Sequence, residues 1–75
     1  MKLIDKIWED GAKLALEEML LYRTLKIDSA SFDVLVCEYN ELFRTNKCTK
    51  QVLQRYFGTK ILVLKDIENG YILEK

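Results

Sequence analysis

Residues 49–58 carry the polar side chains best suited to specific recognition of another molecule. Apolar residues recur here at helical spacing, which turns four polar residues to the opposite side of the helix. The apolar set is Val52, Leu53, Tyr56 and Phe57, and the polar set is Lys50, Gln51, Gln54 and Arg55. Glutamine can form two hydrogen bonds with adenine and arginine two with guanine, whereas lysine binds phosphate as a point charge. The same pattern is also typical of an ordinary solvated helix face.

Charge is strongly separated along the chain. The 12 basic and 12 acidic residues cancel to a net charge of zero, but residues 1–41 hold nine acids and five bases. Residues 42–65 hold six bases and no acid, namely Arg44, Lys47, Lys50, Arg55, Lys60 and Lys65. A segment of this kind predicts an electropositive surface, which attracts either nucleic acid or an acidic protein.

The composition predicts one small domain over residues 1–75. It is 49% hydrophobic with three glycines and no proline, which suits a compact, helix-rich fold. With no histidine and only two cysteines, Cys37 and Cys48, we expect no zinc site and reduced thiols. Charged residues follow residues 1–4 at once, and no apolar run approaches ~18 residues. We therefore expect a cytoplasmic protein without a signal peptide or a membrane span.

The residue types argue against an enzyme. The chain has no histidine, no glycine-rich phosphate loop, and no serine or cysteine beside a plausible base. Cys48 precedes a predicted helix N-terminus, where the pKa of a thiol can fall, but an incidental cysteine is the simpler interpretation. We expect no catalytic site, no metal, no cofactor and no small-molecule substrate.

Residues 3–25 are predicted to form the longest helix, because apolar residues recur at spacings of three and four. Two features break the single apolar stripe. Leu16 and Leu20 lie one turn apart on the charged side, and Glu18 lies near the middle of the apolar face. Exposed leucines in this arrangement favour a dimer interface or another partner contact, unless a different part of the chain covers them.

Two shorter helices follow. Residues 28–31 favour a helix N-cap, and the apolar spacing then continues until the helix ends near Arg44. A strand over residues 32–37 is the alternative, but the helical spacing continues too long for it. Thr49 is expected to cap the third helix, which Gly58 ends.

Two apolar runs at residues 61–64 and 71–73 are predicted to pair as a hairpin, because Asn69-Gly70 between them favours a tight turn. This pairing places Ile67 opposite Ile72, and Lys65 opposite Glu74. The expected fold class is α+β, with three helices followed by a two-stranded antiparallel β-hairpin.

The order of helix, helix, short turn, helix and hairpin resembles the winged helix-turn-helix family over residues 32–75. The resemblance is carried by that order, the turn at residues 45–48 and the basic stretch. It implies that the third helix enters the major groove of DNA while the hairpin, or wing, contacts the backbone. The predicted wing tip at residues 66–69 is acidic, so Lys60 and Lys65 at its base are expected to contact phosphate.

The leading hypothesis is therefore a small protein that binds double-stranded DNA, such as a transcriptional regulator or an accessory factor of a phage or mobile element. The predicted base readers are Gln51, Gln54 and Arg55, and the predicted phosphate contacts are Lys47, Thr49, Lys50 and Lys60. Because so few phosphate contacts bind weakly, we expect a dimer or a protein partner. The rival hypothesis is a small protein-binding module or inhibitor that acts through the acidic N-terminal helix and the apolar pair Leu16 and Leu20, without binding DNA.

Overall fold

A computed structural model describes residues 1–19 and 21–75 of the chain. These residues form three helices and three strands in the order α1 (Leu3–Glu17), β1 (Thr24–Asp28), α2 (Ser29–Phe43), α3 (Lys50–Phe57), β2 (Lys60–Leu64) and β3 (Tyr71–Glu74). The fold is α+β, as predicted, but its sheet has three strands and one of them precedes α2. Within the described residues, no helix has both the length and the apolar character needed to cross a membrane.

β1 is the central strand of the sheet. It pairs in parallel with β2 on one side and antiparallel with β3 on the other. Leu25 lies opposite Ile61 of β2 and opposite Leu73 of β3. Leu25 and Ile27 are fully buried while the residues between and beside them are half-buried, so one face of β1 meets the core.

The predicted helix over residues 3–25 is wrong beyond Glu17. Met19 has a φ of 55°, a left-handed conformation that cannot continue the helix. Leu25 and Ile27 then alternate with polar residues at a period of two, and a strand buries both of them while bonding to two neighbours. Glu18, expected on the apolar face, instead follows the end of α1 and is exposed.

The predicted hairpin is also wrong, because β1 lies between β2 and β3. The expected pairs were Ile67 with Ile72 and Lys65 with Glu74, whereas Ile72 lies opposite Lys26, and Glu74 opposite Thr24. The ion pair expected at Lys65 is formed by Lys26, whose Nζ lies 2.9 Å from a carboxylate oxygen of Glu74.

The turn at Asn69-Gly70 does form, with φ values of 66° and 89°. The Gly70 N–H donates to the Ile67 carbonyl at 2.9 Å, and the Gly70 carbonyl accepts from the Asp28 N–H at 2.9 Å. The turn therefore lies beside the last residue of β1, and the chain continues from it into β3. Because β1 lies between β2 and β3, these two strands are separated by two strand spacings, about 10 Å. A turn signal alone does not specify which strand lies beside the returning chain.

The second and third helices begin where the sequence predicts. Asp28 caps α2 by accepting from the Ser31 N–H at 2.7 Å, and Thr49 caps α3 by accepting from the Val52 N–H at 3.3 Å. Gly58 ends α3 with a φ of 67°, a conformation that glycine adopts without strain.

The core lies between the helices and the buried face of the sheet. Its buried apolar members are Ile4, Ile7, Leu25, Ile27, Leu35, Leu53, Phe57 and Ile61. Every helix contributes to this set, as do the strands β1 and β2. Burial of each such side chain stabilises the fold by about 1.5–3 kcal/mol, so α3 is held to the domain chiefly through Leu53 and Phe57.

The N-terminus of α1 is capped from α2 rather than locally. The Glu38 carboxylate accepts from the Leu3 N–H at 3.2 Å and from the Ile4 N–H at 2.8 Å. Lys2 occupies the N-cap position without a side-chain cap bond. A negative charge at this end of a helix also interacts favourably with the helix dipole, so Glu38 joins α1 to α2.

Candidate nucleic-acid interface

α3 turns most of its predicted polar face towards solvent. Lys50, Gln51 and Arg55 are exposed, while Leu53 and Phe57 are buried in the core. The prediction of an amphipathic helix over these residues is confirmed. Its outer face is therefore accessible to a large ligand.

Contacts of Tyr56 fix how α3 is rotated about its own axis. Its ring lies edge-on to those of Trp8, Tyr39 and Phe43, with centroids 5.5 Å away in each case. Edge-to-face aromatic pairs at this distance contribute about 0.5–1.5 kcal/mol beyond the area they bury. Because the three partners come from α1 and α2, the outer face of α3 has one defined orientation.

Gln54 differs from the other predicted readers because its side chain takes part in the fold. Its Oε1 accepts from the Ile61 N–H at 3.0 Å. β2 is an edge strand of the sheet, so Gln54 supplies a partner for a backbone donor on the side away from β1. A glutamine that pairs bidentately with adenine uses this same oxygen, which in Gln54 already accepts one hydrogen bond and has one lone pair left for a ligand.

The turn before α3 is held by Asn40, a residue that sequence reasoning did not single out. Its Oδ1 accepts from the Cys48 N–H at 3.1 Å, and Thr45 Oγ1 accepts from the Lys47 N–H at 3.3 Å. Lys47 is exposed, and the capping hydroxyl of Thr49 can still donate its own proton. Burial raises the pKa of the Cys48 thiol, opposite to the fall considered for a cysteine in this position.

A cleft of about 860 Å³ runs beside α3, and we call it the basic cleft. One wall is formed by Gln51, Gln54 and Arg55 of α3, the other by residues 21–23, and the two are joined by residues 58–60. Arg23, Arg55 and Lys60 bring three positive charges to it. Among the described residues, no aspartate or glutamate lines the cleft.

The sheet brings Arg23 to this cleft. The Lys60 N–H donates to the Arg23 carbonyl at 3.3 Å, and the Arg23 N–H donates to the Glu74 carbonyl at 2.7 Å. Arg23 belongs to the acidic N-terminal part of the sequence and was not predicted as a site residue. Its place beside Lys60 follows from the parallel pairing of β1 with β2, which no short sequence pattern indicates.

The six bases of residues 42–65 do not form one continuous patch. Lys60 begins β2 and Lys65 follows its last residue, so their backbones lie roughly 16 Å apart along the strand direction. The acidic loop at residues 66–69 is therefore also at the end of β2 away from the basic cleft. Lys47 and Lys50 lie at the start of α3, so positive charge is found at both ends of this helix.

An exposed apolar patch lies near the end of α1. Leu16, Met19 and Leu21 are 84%, 89% and 78% exposed, respectively. Leu20, the predicted partner of Leu16 in a dimer interface, lies outside the described residues. The patch adjoins an apolar groove of about 310 Å³ that shares Leu21, Tyr22 and Gly58 with the basic cleft.

Comparisons with protein-family models, with curated proteins and with solved structures found no match to this chain. The resemblance to the winged helix-turn-helix family therefore stays a prediction.

Proposed function

We propose that this protein binds double-stranded DNA, with α3 and the basic cleft facing the duplex. One observation supports this most. The exposed polar face of α3 forms a wall of a cleft that carries three positive charges and, among the described residues, no acidic lining side chain. Such a surface attracts a polyanion. A transcriptional regulator or an accessory factor of a phage or mobile element is the role we infer.

The dimensions of α3 suit the major groove. An α-helix with its side chains is about 10–12 Å across, which fits the major-groove width of about 12 Å, and the eight residues of α3 extend about 12 Å along its axis. Lys47 and Lys50 lie at one end of the helix, and Arg55 and Lys60 lie at or beyond the other. Basic side chains at both ends can reach the phosphates on either side of a groove that the helix occupies.

The side chains divide into two roles under this proposal. Gln51 and Arg55 are the base readers, because both are exposed on the outer face. Phosphate is bound by Lys47, Thr49, Lys50 and Lys60. Gln54 has a smaller part in base reading than Gln51, since its oxygen is already held by the Ile61 N–H. With so few charges the affinity of one copy is low, so a dimer or a protein partner is part of the proposal.

Fluorescence anisotropy with labelled duplex DNA tests the division of roles. Lys50→Ala should weaken binding to every sequence and reduce the slope of log K against log salt by about 0.9, because one phosphate contact is lost. Arg55→Ala should also relax base preference at one position, where a bidentate pair discriminates by about 1–3 kcal/mol. Lys13→Ala, on the exposed side of α1, is the control for loss of a charge.

Wild-type protein that binds no duplex at low salt would refute the DNA proposal. The protein-binding alternative would then be favoured by the exposure of Leu16, Met19 and Leu21. If Lys50→Ala and Lys13→Ala changed DNA affinity equally and Arg55→Ala did not change base preference, α3 would not be part of the DNA interface.

A further inference from the structure

We propose that the basic cleft contains a phosphate-binding site formed by Arg23, Lys60 and the hydroxyl of Thr59, beside the base reader Arg55. This inference rests on the proposed function, because the DNA backbone is the expected source of the phosphate. It adds Arg23 and Thr59, two residues that the sequence did not indicate, and it places a phosphate at the C-terminal end of α3.

The sheet brings the backbones of Arg23 and Lys60 together. The Lys60 N–H donates to the carbonyl of Arg23, the residue just before β1, at 3.3 Å, and both side chains are exposed. The register pairs Lys60 with Thr24, so the side chains of Arg23 and Lys60 leave the sheet on opposite faces and approach the cleft from different sides. Among the described residues, no acidic side chain lines the cleft to neutralise them. A bound phosphate supplies the missing negative charge.

Thr59 provides an independent observation. The residue is only 8% exposed, and its Oγ1 is buried without a hydrogen-bond partner among the described residues. Its N–H donates to the Gln54 carbonyl at 3.1 Å, so the backbone of Thr59 is fixed while the hydroxyl proton is free. Buried hydroxyls normally have a partner. Thr59 also lines the basic cleft, so a phosphate oxygen is the acceptor that we assign to this hydroxyl.

The charge of the cleft exceeds the opposing effect of the helix dipole. The C-terminal end of α3 carries at most about half a unit of negative charge, which disfavours an anion. Three full positive charges lie around the same space, on Arg23, Arg55 and Lys60. The guanidinium of Arg23 has paired N–H donors that match two phosphate oxygens at once.

Arg23→Gln is the test variant and Lys13→Gln the matched control, since both remove one exposed positive charge. In anisotropy titrations with duplex DNA, Arg23→Gln should reduce the slope of log K against log salt by about 0.9, and Lys13→Gln should leave it near the wild-type value. Backbone amide NMR with inorganic pyrophosphate is the second arm. Pyrophosphate should shift the Arg23, Thr59 and Lys60 amides of the wild type, with weaker binding in Arg23→Gln.

Thr59→Val keeps the shape of the side chain and removes the hydroxyl. It should bind pyrophosphate more weakly while melting at the same or a higher temperature, because an unpartnered buried hydroxyl is lost. A lower melting temperature together with unchanged pyrophosphate binding would show that the hydroxyl serves only the fold and would overturn its part in the site.

The two arms separate this inference from the proposed function. One outcome is that Arg23→Gln and Lys13→Gln change the salt slope of DNA binding equally and that pyrophosphate shifts no amide signals in the cleft. This overturns the phosphate site and leaves the proposal of DNA binding intact. Amide shifts of Arg23, Thr59 and Lys60 with pyrophosphate, in a protein that binds no duplex DNA, support the phosphate site and refute the proposed function.

Discussion

Gln54 gives the sharpest test of how the candidate interface is built, because the sequence predicts a base reader and the structure shows a bond within the fold. Gln54→Ala removes the acceptor for the Ile61 N–H. Because Ile61 is fully buried, its N–H is then left without a partner. An unsatisfied buried donor costs about 1–3 kcal/mol, and the better helix propensity of alanine offsets a few tenths of this. The expected net loss in the free energy of unfolding is about 1–2 kcal/mol.

Two further variants complete the comparison. Gln51→Ala removes the same side chain from the exposed face of α3, so its free energy of unfolding should stay within about 0.5 kcal/mol of the wild type. Gln54→Glu keeps an oxygen acceptor at the position, so it should recover most of the stability lost in Gln54→Ala. It also brings a negative charge into the basic cleft, so it should weaken DNA binding despite its stability.

Urea denaturation followed by circular dichroism measures these differences. For a domain of this size, about 1 kcal/mol corresponds to roughly 4–8 °C in melting temperature, so thermal melts provide an independent reading. Equal stability of Gln54→Ala and Gln51→Ala would refute the structural role of Gln54. A stable Gln54→Ala variant that lost base preference would instead restore Gln54 as a reader.

Two more predictions concern the other helices. Glu38→Ala removes both acceptors at the N-terminus of α1. It should lower the free energy of unfolding by about 2 kcal/mol, because hydrogen bonds to a charged group are worth about 1.5–3 kcal/mol. Urea titration measures this loss. Glu41→Ala removes only an exposed ion pair and should cost well under 1 kcal/mol; a similar loss in both variants would contradict the capping role. If the apolar patch mediates self-association, Leu16→Glu should lower the mass seen in sedimentation velocity, while the exposed-residue control Val34→Glu should not. A wild type that is monomeric at every concentration would exclude this interface.

The sequence determined the features that depend on nearby residues. The caps at Asp28 and Thr49, the stop at Gly58 and the polar outer face of α3 were all predicted, because a capping bond or a helical stripe involves residues three or four apart. The turn at Asn69-Gly70 was predicted for the same reason, since its positive φ values are a property of two adjacent residues.

The tertiary structure decided how the strands are arranged and which charges meet. Residues 24–28 form the central strand because Leu25 and Ile27 can be buried there while the backbone bonds to β2 and β3, a gain that depends on segments far along the chain. That arrangement separates β2 from β3 and removes the predicted hairpin. It also places Arg23 beside Lys60 and directs Gln54 to the edge of β2. Only long-range backbone pairing brings these groups together, and no local spacing in the sequence indicates which strands pair.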